Sequence, residues 1–391
     1  MKRRTKITCT LLTGVLLLGS CFAYAACAEK EPEEPEEVNL ITDLSDKTYV
    51  NLYGRTYFNE NVNGMAFVNS ASGFEVRFRG TELWMSADCT GLWQSMFSIF
   101  LDGERDSNAH VITMNQNGTY DQIIVENLEE GEHTVKVLKR TMSNRDSTFV
   151  HNLSTDGIFL PAPEGPALKI EVYGDSITCG EGVRRPVTYD EATGKYEDSK
   201  IYNAETENVF ESYAGIAADR LDAELRVFGR GGTALKYTND MHSISENYLS
   251  CVVDQDQDES PYDYNSWRPD AVVIYLGTND YSKGRAYPAL GYTLDGLKIA
   301  FSEFIQNVIG NYYGKDIPIV LCSGMMVKSA SRLDEVMLNV KNMLSQQFPN
   351  LDVLSFPENV VDPSAHPILP ESVTAGENLA AKIRELLGIS E

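Results

Sequence analysis

Ser176 lies in Val172-Tyr173-Gly174-Asp175-Ser176-Ile177-Thr178-Cys179-Gly180, a stretch that reads as a strand running into a tight turn that presents one hydroxyl. Gly174 permits the sharp turn, and Asp175 or Ser176 can cap a following helix. A serine so placed has its hydroxyl at the carboxyl end of a strand and its amide at a helix N-terminus, where a developing oxyanion is favoured. Taken alone, Gly-Asp-Ser is a helix cap; to act as a nucleophile on a carbonyl it needs a base and an oxyanion hole. Of the five histidines, only His366 follows the last expected strand, in Val361-Asp362-Pro363-Ser364-Ala365-His366-Pro367. It is placed to take the Ser176 proton, with Asp362 as the carboxylate that would orient the imidazole. Two other turns end strands at the same sheet edge, Gly229-Arg230-Gly231-Gly232-Thr233 and Gly277-Thr278-Asn279-Asp280. The N–H groups of Ser176 and Gly231 and the Asn279 amide form a candidate set of oxyanion donors. Thr238-Asn239-Asp240 has similar residues but no buried strand before it, and reads as a plain turn.

These residues need a scaffold, and the hydrophobic pattern supplies one. Ala271-Val272-Val273-Ile274-Tyr275-Leu276 is a near-continuous apolar run, as in a parallel strand covered on both faces. Further strands are expected at Ile170–Tyr173, Glu224–Phe228, Ile317–Leu321 and Leu351–Leu354. Between them Phe210, Tyr213, Ile216, Ala217 and Leu221 fall at helical spacing, as do Leu297, Phe301, Phe304, Ile305 and Val308. Leu333, Val336, Val340 and Met343 give another helix, and Leu379, Ile383, Leu386 and Leu387 the last. Alternating strand and helix over 169–391 predict an α/β domain with a doubly wound parallel sheet, its site at the carboxyl ends of the strands. Arg184 to Glu207 reads as a Tyr-, Asp- and Glu-rich loop bordering that site.

Upstream, the period is two. In Gly73-Phe74-Glu75-Val76-Arg77-Phe78-Arg79-Gly80 apolar and charged residues alternate, and several short strands with Gly and Asp turns predict a β-sandwich over 46–160. Residues 161–168, with Pro161, Pro163, Gly165 and Pro166, form a stiff linker.

Residues 1–27 read as an export signal: Lys2, Arg3 and Arg4 precede a short apolar core. Leu18-Gly19-Ser20-Cys21 and Ala25-Ala26-Cys27 are alternative lipoprotein cleavage motifs, and Ala23-Tyr24-Ala25 a signal-peptidase site. Each implies export, with a lipoprotein at the bacterial cell surface or periplasm favoured over plain secretion. The acidic, proline-containing stretch 28–45 is expected to be a tether. With the signal removed, Cys89, Cys179, Cys251 and Cys322 remain, without metal or redox spacing, and are expected as buried free thiols. The 391 residues carry a formal charge of −24, which argues against nucleic acid and polyanionic substrates.

Gly174-Asp175-Ser176, the downstream glycine turn, Gly277-Thr278-Asn279-Asp280 and a C-terminal histidine resemble the four blocks of the SGNH (GDSL-type) hydrolases. Gly174 through Gly180, Glu207-Asn208, Ser212-Tyr213-Ala214, Trp267-Arg268-Pro269-Asp270 and His366-Pro367, all after a β-sandwich, are similar to carbohydrate esterase family 2. The resemblance implies a jelly-roll sandwich before a flavodoxin-like three-layer α/β/α domain. It also implies a serine esterase that removes acetyl groups from xylan or related plant polysaccharides. Acyl transfer of this kind needs no cofactor or metal, and a monomer is expected. A membrane would be met only through an N-terminal lipid anchor. In the wider superfamily an Asp stands three residues before the histidine; here that position is Pro363, so Asp362 completes a triad or a backbone carbonyl orients His366 in a dyad. A lipase or thioesterase acting on longer acyl chains, and a glycan-binding protein with a silent esterase fold, are the competing readings.

Overall fold

The computed structural model describes residues 37–390 except 92, 116, 144, 240–242, 256 and 257. The export signal, the first half of the tether (28–36) and Asp240 therefore lie outside the described residues. The rest of the expected tether is corrected: Leu40–Ile41 pairs as a strand with the sandwich, and Ile41 and Leu44 are buried in its core, because these apolar residues find a hydrophobic face to cover.

Five parallel strands form the second domain: Leu168–Asp175, Ala223–Arg230, Ala271–Ile274, Ile319–Met325 and Leu351–Glu358. Their spatial order, counted by position in the chain, is 2-1-3-4-5. This is the flavodoxin-like arrangement, in which the crevice outside the carboxyl ends of the first and third strands is the expected ligand position. The apolar run of the third strand explains the layering. Val272 and Ile274 pack with Leu297, Phe301, Val336 and Val340 of the helices Leu294–Phe304 and Leu333–Leu344. Ala271 and Val273 point the other way, into a core with Tyr213, Ala217, Leu379 and Ile383 of the helices Tyr213–Leu221 and Leu369–Leu387. A strand buried on both faces can afford no polar alternation, which is why its sequence shows none.

Three local expectations are corrected. No regular helix follows Ser176: residues 176–184 form successive turns, because Gly180 (φ 74°) and Gly182 (φ 69°) enter the left-handed region that breaks a helix. The 184–207 segment is not all loop, since Val187–Asp190 and Lys195–Asp198 pair as a hairpin. The last helix begins at Leu369, ten residues before its first expected apolar position, with Glu371 accepting the Ile368 N–H.

The first domain has two antiparallel sheets of six strands each, running from Leu40 to Leu160. Phe74, Val76 and Phe78 face the core between them, with Phe97, Ile99, Val135 and Val137. Glu75 departs from the half-exposed pattern: it is buried and accepts a hydrogen bond from Tyr53 at 2.6 Å. The four cysteines of the described residues are free and buried.

The two domains share core. Ala66, Val68 and Phe149 of the sandwich pack in one of the α/β cores, and Ala71 and Met142 in the other. Arg55 of the sandwich inserts fully into the second domain, where Glu171 accepts from its Nε and Nη2 at 3.1 and 2.9 Å. The carbonyls of Tyr248 and Ser250 accept from Nη1 at 3.0 Å, and the Phe228 and Tyr262 rings lie 4.0 and 3.9 Å from the guanidinium. Removing one partner of such a pair strands a buried charge, at about 3–5 kcal/mol. Arg55→Ala is therefore expected to lower unfolding free energy by that amount in urea titration; a loss under about 1 kcal/mol would mean the ion pair contributes no net stability.

Candidate active site

The first strand delivers Ser176 at its carboxyl end. Asp175 is fully buried; its Oδ1 accepts the Ile177 N–H at 2.9 Å and its backbone carbonyl accepts the Cys179 N–H at 3.1 Å, which curls the chain under the serine. Burial pushes the Asp175 carboxyl up to about 7. Glycine is required at two points of this turn region. A Cβ on Gly174 would lie 2.0 Å from Thr178 Oγ1, and one on Gly229 would lie 1.8 Å from the Gly174 carbonyl oxygen. The second strand thus closes directly on the first beneath the serine.

His366 meets Ser176: its Nε2 is 2.7 Å from the serine Oγ. The histidine loop is held from several sides. Asn359 donates to the Ala365 carbonyl, Glu371 accepts from the N–H groups of Val360 and Ile368, and Arg185 donates to the Pro367 carbonyl at 3.4 Å. Tyr202 packs edge-on against the imidazole, with ring centroids 5.2 Å apart. Burial, the largest cause, holds the His366 pKa below its usual value; Glu181 opposes this, while Arg185 and Arg145 add to it.

Asp362 does not join this pair. Its carboxylate accepts from Ser364 N–H and Oγ at 2.8 and 2.7 Å and pairs with Lys200 at 3.1 Å, and these bonds hold it at about 2. Among the described residues it makes no hydrogen bond to His366. The physical reason is local: an Asp two residues before a serine closes on that serine's own N–H, which turns it away from the ring.

The other expected donors surround the same edge but have internal partners. The Gly231 N–H points at Met142 Sδ, 3.1 Å away, a weak acceptor that an oxyanion can displace. Asn279 Nδ2 donates to the Thr233 carbonyl at 2.9 Å and to Asp175 Oδ2 at 3.2 Å, rather than standing free. The adjacent Asp280 ties the two turns together by accepting three N–H bonds, from Leu235, Lys236 and Tyr237, each at 2.8 Å.

Several residues at the site escaped sequence reasoning. Glu181 Oε2 lies 3.4 Å from His366 Nε2, and its Oε1 pairs with Arg145 at 2.7 Å. Arg145 also pairs with the buried Glu207 at 3.2 Å. Arg145 and Met142 belong to the sandwich, so the first domain contributes directly to the site. No local pattern marks them, although Glu181 stands only five residues after the serine.

A strand-edge serine bonded to a histidine at the switch point of a 2-1-3-4-5 sheet defines a GDSL-type hydrolase site. Residues 170–354 match the GDSL-like lipase/acylhydrolase family and residues 52–163 the carbohydrate esterase 2 N-terminal family. The two matches follow each other along the chain, the carbohydrate esterase 2 N-terminal match on the sandwich and the GDSL-like match on the parallel-sheet domain. A Cellvibrio japonicus protein described as acetylxylan esterase / glucomannan deacetylase is 23% identical over 385 residues, covering 96% of this chain and 99% of its own. The cellulase/esterase CelE of Acetivibrio thermocellus is 29% identical over 287 residues, 71% of this chain and 31% of that protein. The fold matches a family two carbohydrate esterase from Clostridium thermocellum in complex with cellohexaose. That match has a TM-score of 0.73 at 24% identity, over 87% of this chain and 99% of the other.

Proposed function

We propose that the protein is a serine esterase that removes O-acetyl groups from xylan or a related hemicellulose, with Ser176 as nucleophile and His366 as base. The observation that carries this reading is the 2.7 Å contact between Ser176 Oγ and His366 Nε2. As Oγ bonds to the acetyl carbon, its proton passes to Nε2, and the acetyl–sugar bond breaks as the sugar oxygen leaves with that proton. His366 then takes a proton from water as the water oxygen bonds to the acetyl carbon, and the acetyl–Oγ bond breaks with the proton returned from Nε2 to Oγ, which frees acetate. The Ser176 N–H, the Gly231 N–H released from Met142, and an Asn279 amide proton released from Thr233 or Asp175 would hold the oxyanion. The relatives' described activities on acetylxylan and glucomannan support the substrate class. Export as a lipoprotein through residues 1–27 would bring the enzyme to such polymers.

Acetate release from acetylated xylan, mannan and pectin, beside an acetyl-to-octanoyl ester series, tests the reading. Activity confined to long acyl esters, or polymer binding without turnover, would overturn it. Polymer recognition has its own candidate. Tyr189 and Tyr196 face each other across the hairpin with rings 5.0 Å apart, both exposed, and Arg185 ties the hairpin to the site through Asp198 at 2.9 Å. Exposed aromatic rings suit stacking on sugars. The double variant Tyr189→Ala/Tyr196→Ala is expected to raise KM for acetylated xylan about tenfold while kcat/KM for 4-nitrophenyl acetate stays within about twofold. Equal effects on both substrates would remove the hairpin from polymer binding.

A further inference from the structure

We infer that Glu181, held by Arg145 of the sandwich domain, is the carboxylate that stabilises the His366 imidazolium from the Nε2 side, a role distinct from the orientation of the ring at Nδ1 expected of Asp362; this rests on His366 being the base. Its oxygen lies 3.4 Å from Nε2, the nitrogen that faces the Ser176 hydroxyl. In the resting state Nε2 accepts the serine proton and offers Glu181 only a lone pair. Once the proton has moved to Nε2, the same carboxylate faces a cation. The interaction thus strengthens as the transition state forms, which is the condition for an interaction to raise kcat. At 3.4 Å the carboxylate is also too distant to take the proton in competition with an oxygen at 2.7 Å.

The position of Glu181 is built, not incidental. Its N–H donates to the Ser176 carbonyl at 3.0 Å, closing the same set of turns that carries the nucleophile. Arg145 fixes the side chain at 2.7 Å and is itself held by Glu207, which also accepts the Met142 N–H. Met142 in turn faces Gly231 through its sulfur. One segment of the sandwich, Met142 to Arg145, therefore reaches both the carboxylate beside the base and the expected oxyanion amide. The charged and titratable groups around His366 are Glu181, Arg145, Arg185 and Tyr202, with Asp175 and Glu207 behind them. Of these, Glu181 is the one whose charge favours the imidazolium from a position touching Nε2.

The test compares Glu181→Gln, Glu181→Asp and Asp362→Asn in the full chain on 4-nitrophenyl acetate across pH. Glu181→Gln is expected to lower kcat about 10- to 100-fold with little change in KM, and to move the acid limb of the profile to lower pH, because the charge that raises the His366 pKa is gone. Glu181→Asp recovers part of kcat, and Asp362→Asn stays within about twofold of the parent. Unchanged kcat in Glu181→Gln, a fall in kcat with the acid limb unmoved, or an equal loss in Asp362→Asn would each overturn the inference. If His366→Ala retains activity, it is the assignment of the base that fails instead.

Discussion

Ser176→Ala is expected to abolish acetate release, lowering kcat by on the order of 10³- to 10⁶-fold, with the fold intact. The size follows from the chemistry: without Oγ there is no acyl-enzyme, and only direct attack by water within the remaining electrostatic environment is left. Folding should be indifferent, because the hydroxyl's structural partner is His366, while the turn around it is held by Asp175 and by backbone bonds to Cys179, Gly180 and Glu181. Circular dichroism and the urea midpoint therefore serve as controls. Turnover at more than about a tenth of the parent rate would exclude Ser176 as nucleophile.

His366→Ala is expected to lose kcat to a similar degree, since an alcohol attacks poorly unless its proton has somewhere to go. The pH profile of the parent gives a second reading of the same residue. The imidazole must be neutral to act as base, and its pKa in the folded protein is lowered, chiefly by burial. A lowered pKa keeps the base neutral below pH about 6.5, so activity should persist into mildly acidic solution and fall with a slope of one only beneath that value. An acid limb centred above pH 7 would contradict the buried, neutral histidine. The linkage runs the same way for stability: protons bind the unfolded histidine first, so lowering the pH through 6.5 costs the folded state.

The legibility of this fold follows from its periodicities. A strand buried on both faces, such as Ala271–Ile274, announces itself in four consecutive apolar residues. Helices carry the 3.6 period on one face, so Leu333, Val336 and Val340 line the core as expected, whereas Met343, expected on the same face, is exposed and Leu344 is buried instead. Where conformation depends on single glycines the pattern is silent. Gly180 and Gly182 turn an expected helix after Ser176 into a run of turns. The Tyr-rich segment hid a hairpin because its exposed strands have no apolar face to display.

The site divides in the same manner. Sequence alone determined that a serine, a glycine turn, an asparagine and a histidine would each follow a strand, because strand ends are local features and parallel strands bring their carboxyl ends to one edge. The class of chemistry was legible only through the four ordered blocks together, which resemble those of the SGNH hydrolases, because Gly-Asp-Ser by itself reads as a helix cap. Only the tertiary structure decided which groups meet. Ser176 and His366 are 190 residues apart yet 2.7 Å from each other. Asp362, four residues from that histidine, turns instead to Ser364 and Lys200. The carboxylate that does lie beside Nε2 is Glu181, held by an arginine from the other domain. Side-chain direction in a loop is set by whichever hydrogen bond closes first and by what packs across from it, and neither is written in spacing along the chain.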